Sequence, residues 1–128
     1  MPHIIIEYSA NLETRADINM LCKHVRDAAL ATGLFETGAI RVRAHKCDHY
    51  AIADDHPYDA FVHLDIRIGK GRTEEDRRML GQAVFDRAAE ELAPLFEAPH
   101  LALSLYLTEI PPESSWKKNG IHQRFRKN

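Results

Sequence analysis

An α+β fold, built from a duplicated β-α-β unit as a four-stranded sheet with two helices on one face, is the architecture this sequence predicts. Three observations carry that reading. Each half of the chain holds two apolar stretches of strand length with a stretch of helical periodicity between them. One polar segment, Cys47 to Tyr58, separates the halves. At 128 residues and 45% hydrophobic content, the chain has the size of one domain that buries roughly two thirds of the surface its unfolded form exposes. Residues 1–128 therefore read as a single domain of two pseudo-repeats, about 2–46 and 59–109, with a C-terminal arm over 110–128.

The first strand runs from His3 to Tyr8 around Ile4, Ile5 and Ile6, and the turn-forming Ser9, Ala10 and Asn11 end it. Asp17 can accept the free N–H groups of a helix start, and Ile18, Leu21, Val25 and Ala28 recur at helical spacing behind it. Gly33 suits the C-terminal stop. Ala39 to His45 follows as a strand with Ile40 and Val42 on one face and Arg41 and Arg43 on the other. The second half repeats the plan. Phe61 to Ile68 sets Val62, Leu64, Ile66 and Ile68 against His63, Asp65 and Arg67. Thr73 and Asp76 open a helix carrying Leu80, Ala83, Val84 and Ala88, and Pro94 ends or kinks it through its missing N–H and its clash with the previous turn. Leu101, Leu103, Leu105 and Leu107 form the closing strand.

Two helices cover one sheet face. Leu101 to Leu107, Phe61 and the isoleucine run are too many apolar groups to lie under the same helices, so the other face is expected to be apolar and covered by oligomerisation. Pro111 to Asn128 carries Trp116 and Phe125 among Lys117, Lys118, Arg124, Arg126 and Lys127, a composition expected of a solvated or intersubunit arm.

Composition narrows the function. Cys22 and Cys47 form no CxxC pair, Cys22 sits on an apolar helix face as a core residue would, and no apolar stretch reaches the ~18 residues of a membrane span, so a reducing cytoplasm is the expected location. A formal charge of -2 and a pI near 6.4 give no polyelectrolyte bias towards nucleic acid. Any anion site must be local.

The candidate chemistry begins at Met1-Pro2. Initiator methionine is generally trimmed before proline, which would leave a secondary amine at the terminus. An α-amino group titrates at about 7.7 to 8.0, and neighbouring cations or burial lower that value, so such a nitrogen can take and return protons without metal or cofactor. Arg41 lies on the polar face of its strand, and Arg72 in the Gly69-Lys70-Gly71-Arg72 turn that opens the second helix. Two guanidinium forks about a neutral amine suit a dicarboxylate. His45 and His49 stand four apart near Asp48, Asp54, Asp55 and His56, but a strand end and a loop do not put them on one helical face, so no metal site is expected there. His3, beside the amine, is placed to tune it, and His63 shares its strand-face setting.

Four ordered segments, Pro2 to Ser9, Gly38 to Arg43, Tyr58 to His63 and Gly69 to Arg72, resemble the 5-carboxymethyl-2-hydroxymuconate isomerases of the tautomerase superfamily, and the likeness continues to the His122–Phe125 region. Asp55-His56-Pro57 and Pro94 depart from the family pattern. The resemblance implies a tautomerase-like homotrimer without cofactor, in which Pro2 is the base and Arg41 and Arg72 hold carboxylate and the developing enolate oxygen. It further implies an unsaturated hydroxy-dicarboxylate substrate from homoprotocatechuate degradation. Two other functions share these features: a related tautomerase or hydratase on another unsaturated dicarboxylate, and a non-catalytic trimer that binds small acids.

Overall fold

The computed structural model describes residues 1–126, leaving Lys127 and Asn128 of the expected arm outside the described residues. Its main elements are β1 (His3–Ser9), α1 (Ile18–Ala31), β2 (Arg41–Cys47), β3 (Ala60–Gly69), α2 (Glu74–Glu91) and β4 (Leu101–Ile110). The sheet order is β2-β1-β3-β4. β1 and β2 pair in parallel, as do β3 and β4, and the two β-α-β units join through antiparallel β1 and β3. That antiparallel junction sets His3 opposite Arg67 and so brings the start of β1 beside the glycine turn that follows β3.

Local signals set the helix ends. The Asp17 carboxylate accepts the Met20 N–H at 3.0 Å and the Thr73 hydroxyl accepts the Asp76 N–H at 3.0 Å, satisfying donors that the first helical turns leave unpaired. Gly33 takes φ 76° past the end of α1, a left-handed conformation that only glycine adopts without a steric penalty. Glu74, Glu75 and Asp76 fill the first turn of α2, where carboxylates meet the positive end of the helix dipole. The helix stops at Glu91, before Pro94, which begins a short 3-10 turn over Ala93–Glu97 and kinks nothing. β2 starts later than the sequence predicts, because Thr37–Ala39 closes a 3-10 turn, and it runs on through Cys47.

The expectation of an apolar open face is wrong. Strand alternation sends Ile4, Ile6, Val62, Leu64, Ile66 and Ile68 beneath the helices, where they meet Leu21, Val25, Leu80 and Val84. Leu101, Leu103, Leu105 and Leu107 pack against the same core. α1 contributes Ala29 in place of the predicted Ala28, which is only half-buried. One helix pair shelters these alkyl groups because all four strands present their apolar residues in matching register. The open face consequently carries His3, Glu7, Arg41, Arg43, His45, His63, Asp65, Arg67, Ser104 and Tyr106, with Ile5, Phe61 and Ile110 among its larger apolar members.

The C-terminal arm is largely exposed, as expected, but it is not loose. Its far part docks on the 3-10 turn before β2, where Asn119 Nδ2 donates to the Gly38 carbonyl at 2.8 Å and Arg126 Nη2 donates to Glu36 Oε2 at 2.6 Å. His122 packs so closely that a Cβ built on Gly38 would stand 3.0 Å from its Nδ1 and 3.1 Å from its Cα. Gly38→Ala should therefore ease local opening of the arm by about 1–3 kcal/mol. Trypsin should then cut faster after Lys117 or Lys118 while the thermal transition of the core holds; an unchanged cleavage rate would refute this packing role.

Candidate active site

The start of β1 is buried at Pro2, whose carbonyl accepts the Arg41 N–H at 3.2 Å. This hydrogen bond extends the parallel β1–β2 pairing beyond His3–Arg41 and fixes the chain entry against β2. The amine that precedes it, on Met1, is held below its ordinary value of 8.0 by partial burial first, then by the charges of Lys117, Arg72 and Arg41. Both predicted arginines thus bear on the terminus. Each charge opposes an ammonium there, so the neutral, basic form gains.

The two guanidinium groups are anchored differently. Arg41 Nη1 donates to the Ala39 carbonyl at 2.7 Å. Arg72 Nη2 donates to the Leu34 carbonyl at 3.0 Å, and its guanidinium lies 4.6 Å from the centre of the Phe35 ring. The Arg72 carbonyl in turn accepts from Arg77 Nη1 at 2.6 Å, tying the glycine turn to α2. A guanidinium has five N–H donors, so each arginine keeps donors for a ligand after these contacts.

Beside the terminus opens a cleft of about 430 Å³ that sequence reasoning missed in part. Met1 and His3 line it together with Arg43, Arg67, Trp116 and Lys117. Arg43 and Arg67 were legible as charged residues on alternating strands. Lys117 was not, since nothing local marks a residue of the arm as a neighbour of the first residue. His3 is held below 6.5 by burial, then by Arg43, Arg41, the terminal amine and Arg67. Arg43 Nη1 lies 3.0 Å from its Nδ1 and can only donate, so the neutral ring carries its proton on Nε2.

Two further histidines meet at the other end of the sheet. His56 stacks on His100 with ring centres 4.3 Å apart, and His56, Asp59 and His100 offer ligand-type atoms within 4.8 Å of one another. His45 and His49 take no part in this group. His56 Nδ1 accepts the Tyr58 N–H at 3.1 Å, which places the neutral ring's proton on Nε2, and His100 Nδ1 pairs with Asp59 Oδ1 at 2.8 Å. The first bond lies within the 47–58 loop and the second ties the residues that precede β3 and β4, so stacking alone joins His56 to His100. These hydrogen bonds do not leave both rings ready as ligands.

With this geometry in view, the chain matches the profile of 5-carboxymethyl-2-hydroxymuconate isomerase over residues 2–125. It belongs to that family. A 5-carboxymethyl-2-hydroxymuconate Delta-isomerase of Escherichia coli is 36% identical over 126 residues, 98% of this chain and 100% of the relative. The crystal structure of a 5-carboxymethyl-2-hydroxymuconate isomerase from Deinococcus radiodurans R1 superposes with a TM-score of 0.91 at 40% identity, covering 98% of this chain and 95% of that one. A native fused 4-OT shares the fold at a TM-score of 0.70 and 17% identity, over 97% of this chain and 99% of that one. The duplicated β-α-β architecture of the isomerase family is therefore this chain's architecture. No helix among the described residues is long and apolar enough to cross a membrane.

A depressed histidine makes stability pH-dependent. As pH falls from about 6.5, the unfolded chain protonates His3 before the folded chain does, so this residue removes stability below that point and adds no further pH dependence once the folded form is also protonated. Histidine NMR titration should place His3 below 6.5, and Arg43→Met should raise its pKa; no rise in the variant would break the assignment.

Proposed function

We propose that this protein isomerises 5-carboxymethyl-2-hydroxymuconate to its 2-oxo-enoate form in homoprotocatechuate degradation, with Pro2 as the base once Met1 has been removed. The observation that carries this reading is the depressed basicity of the chain terminus, produced by burial and by the charges of Lys117, Arg72 and Arg41. That shift is the Met1 amine's; with Met1 removed the Pro2 nitrogen becomes the terminus, and a terminal nitrogen biased towards its neutral form can accept a proton. The family membership supplies the reaction to which such a base belongs.

In the proposed mechanism, the substrate's 2-hydroxyl proton passes to the Pro2 nitrogen and leaves a dienolate. Electron density moves along the conjugated chain to the far alkene carbon. That carbon takes the proton back from the prolinium, the 2-oxygen becomes a carbonyl, and the remaining C=C bond shifts inward. One proton leaves and one returns, so no oxidant or cofactor enters the balance. Arg41 and Arg72 hold carboxylate and the enolate oxygen, where pre-placed donors stabilise charge as it develops. The substrate name describes a muconate with a carboxymethyl branch, which makes three carboxylates where the sequence reading counted two.

We propose a homotrimer as the working assembly. β2 and β4 are the edge strands of the sheet, and exposed edges are surfaces on which further chains can pair. The support is this exposed backbone together with the polar open face, not a greasy surface seeking cover.

Three variants test the chemistry by ultraviolet assay. Pro2→Ala should lower kcat/KM by about 100-fold or more, the scale of a positioned general base. Arg41→Ala and Arg72→Ala should each cost about 100- to 1000-fold. They should also move the pH at which kcat/KM reaches half its plateau upward, because each removes a charge that opposes the protonated nitrogen. Full turnover in either arginine variant would dismiss its assigned role.

A further inference from the structure

The cleft beside the terminus has a charge imbalance that the isomerisation step does not use. Arg43, Arg67 and Lys117 line it and no acidic residue does. Two of these cations are committed. Arg43 is paired with His3 at 3.0 Å, and Arg67 Nε donates to Asp65 Oδ2 at 3.1 Å. Lys117 meets no negative charge: it hydrogen-bonds the terminal amine, and among the described residues no carboxylate lies within ion-pair distance of its ammonium. An ammonium with no counter-charge, brought to the chemical centre by a docked arm, is positioned to receive an anion.

The geometry points to Lys117 as the residue that receives the carboxymethyl carboxylate, so that the C-terminal arm selects a branched tricarboxylate over a plain muconate. This inference rests on the function proposed above. Arg41 and Arg72 act on the terminal nitrogen through their charge but do not line this cleft, and in the proposed mechanism they serve the reacting end of the substrate. The branch carboxylate hangs from a rotatable methylene, and a point charge on a flexible four-carbon stem can follow it where a rigid guanidinium fork cannot. Trp116, 87% exposed and on the lining of the same cleft, supplies an apolar face for the methylene. Lys117 holds its place because the arm beyond it is pinned to Gly38 and Glu36.

The test is substrate discrimination on the full chain. Wild type, Lys117→Met and Lys117→Arg are assayed with 5-carboxymethyl-2-hydroxymuconate and with 2-hydroxymuconate on the high-pH plateau, where protonation of the nitrogen no longer limits the rate. Lys117→Met should reduce the ratio of the two kcat/KM values by about 10- to 100-fold, the worth of one charged hydrogen bond, chiefly through KM for the branched acid. Lys117→Arg should restore most of it. An unchanged ratio overturns the inference, including the case in which both substrates slow equally, which would assign Lys117 to the base alone. Calorimetry with the unreactive acids tricarballylate and glutarate reads the same preference without turnover. A protein that binds tricarballylate through Lys117 yet turns over neither muconate would sink the proposed function and leave the subsite standing; a wild type with turnover intact but no preference for tricarballylate over glutarate, or a preference that Lys117→Met leaves unchanged, would do the reverse.

Discussion

The antiparallel pairing of β1 with β3 is the constraint on which the site depends. Each β-α-β unit could bury its own strands beneath its own helix, yet neither alone would gather the charges that surround the terminus. Setting β1 and β3 head to tail lays the beginning of the first unit against the end of the second unit's first strand, and His3 opposite Arg67 marks the meeting point. Arg41 arrives from β2 as the parallel neighbour, and Arg72 arrives from the turn after β3. Cations distant in sequence thereby converge on one nitrogen.

The same sheet explains how such a concentration of charge is tolerated. Alternation sends the alkyl groups of all four strands under α1 and α2, which supplies the hydrophobic stabilisation, and leaves the opposite face to polar groups. On that face polar groups are partnered in part: Asp65 forms an ion pair with Arg67, and His63 hydrogen-bonds Ser104 at 2.6 Å. The charged end near the terminus has fewer carboxylates. Mutual repulsion there is a cost to folding that the core offsets, and it leaves a surface ready for anions.

Most of the fold was legible because its signals are local. Asp17, Thr73 and Gly33 have caps or turns that depend on neighbouring residues, and strand alternation announces which residues share a face. What could not be read was which face received which strand. Leu101 to Leu107 looked like surplus apolar surface, because counting alkyl groups says nothing of register, and register lets one helix layer cover them all. Arg41 and Arg72 were legible from residue type and position at a strand and a turn. Lys117 and Trp116 were not, since their arrival at the cleft depends on the arm docking through Asn119 and Arg126 more than 80 residues from the partners they touch in sequence.

The account stands on a terminal nitrogen that is unblocked and neutral. Mass spectrometry of the purified protein, followed by ¹⁵N NMR titration of the terminal nitrogen, measures both properties. The account predicts a chain that begins at Pro2 and a pKa below the ordinary α-amino range of about 7.7 to 8.0, rising when Arg72 is replaced by Ala. A retained Met1, or a nitrogen that titrates at or above that range, would contradict it.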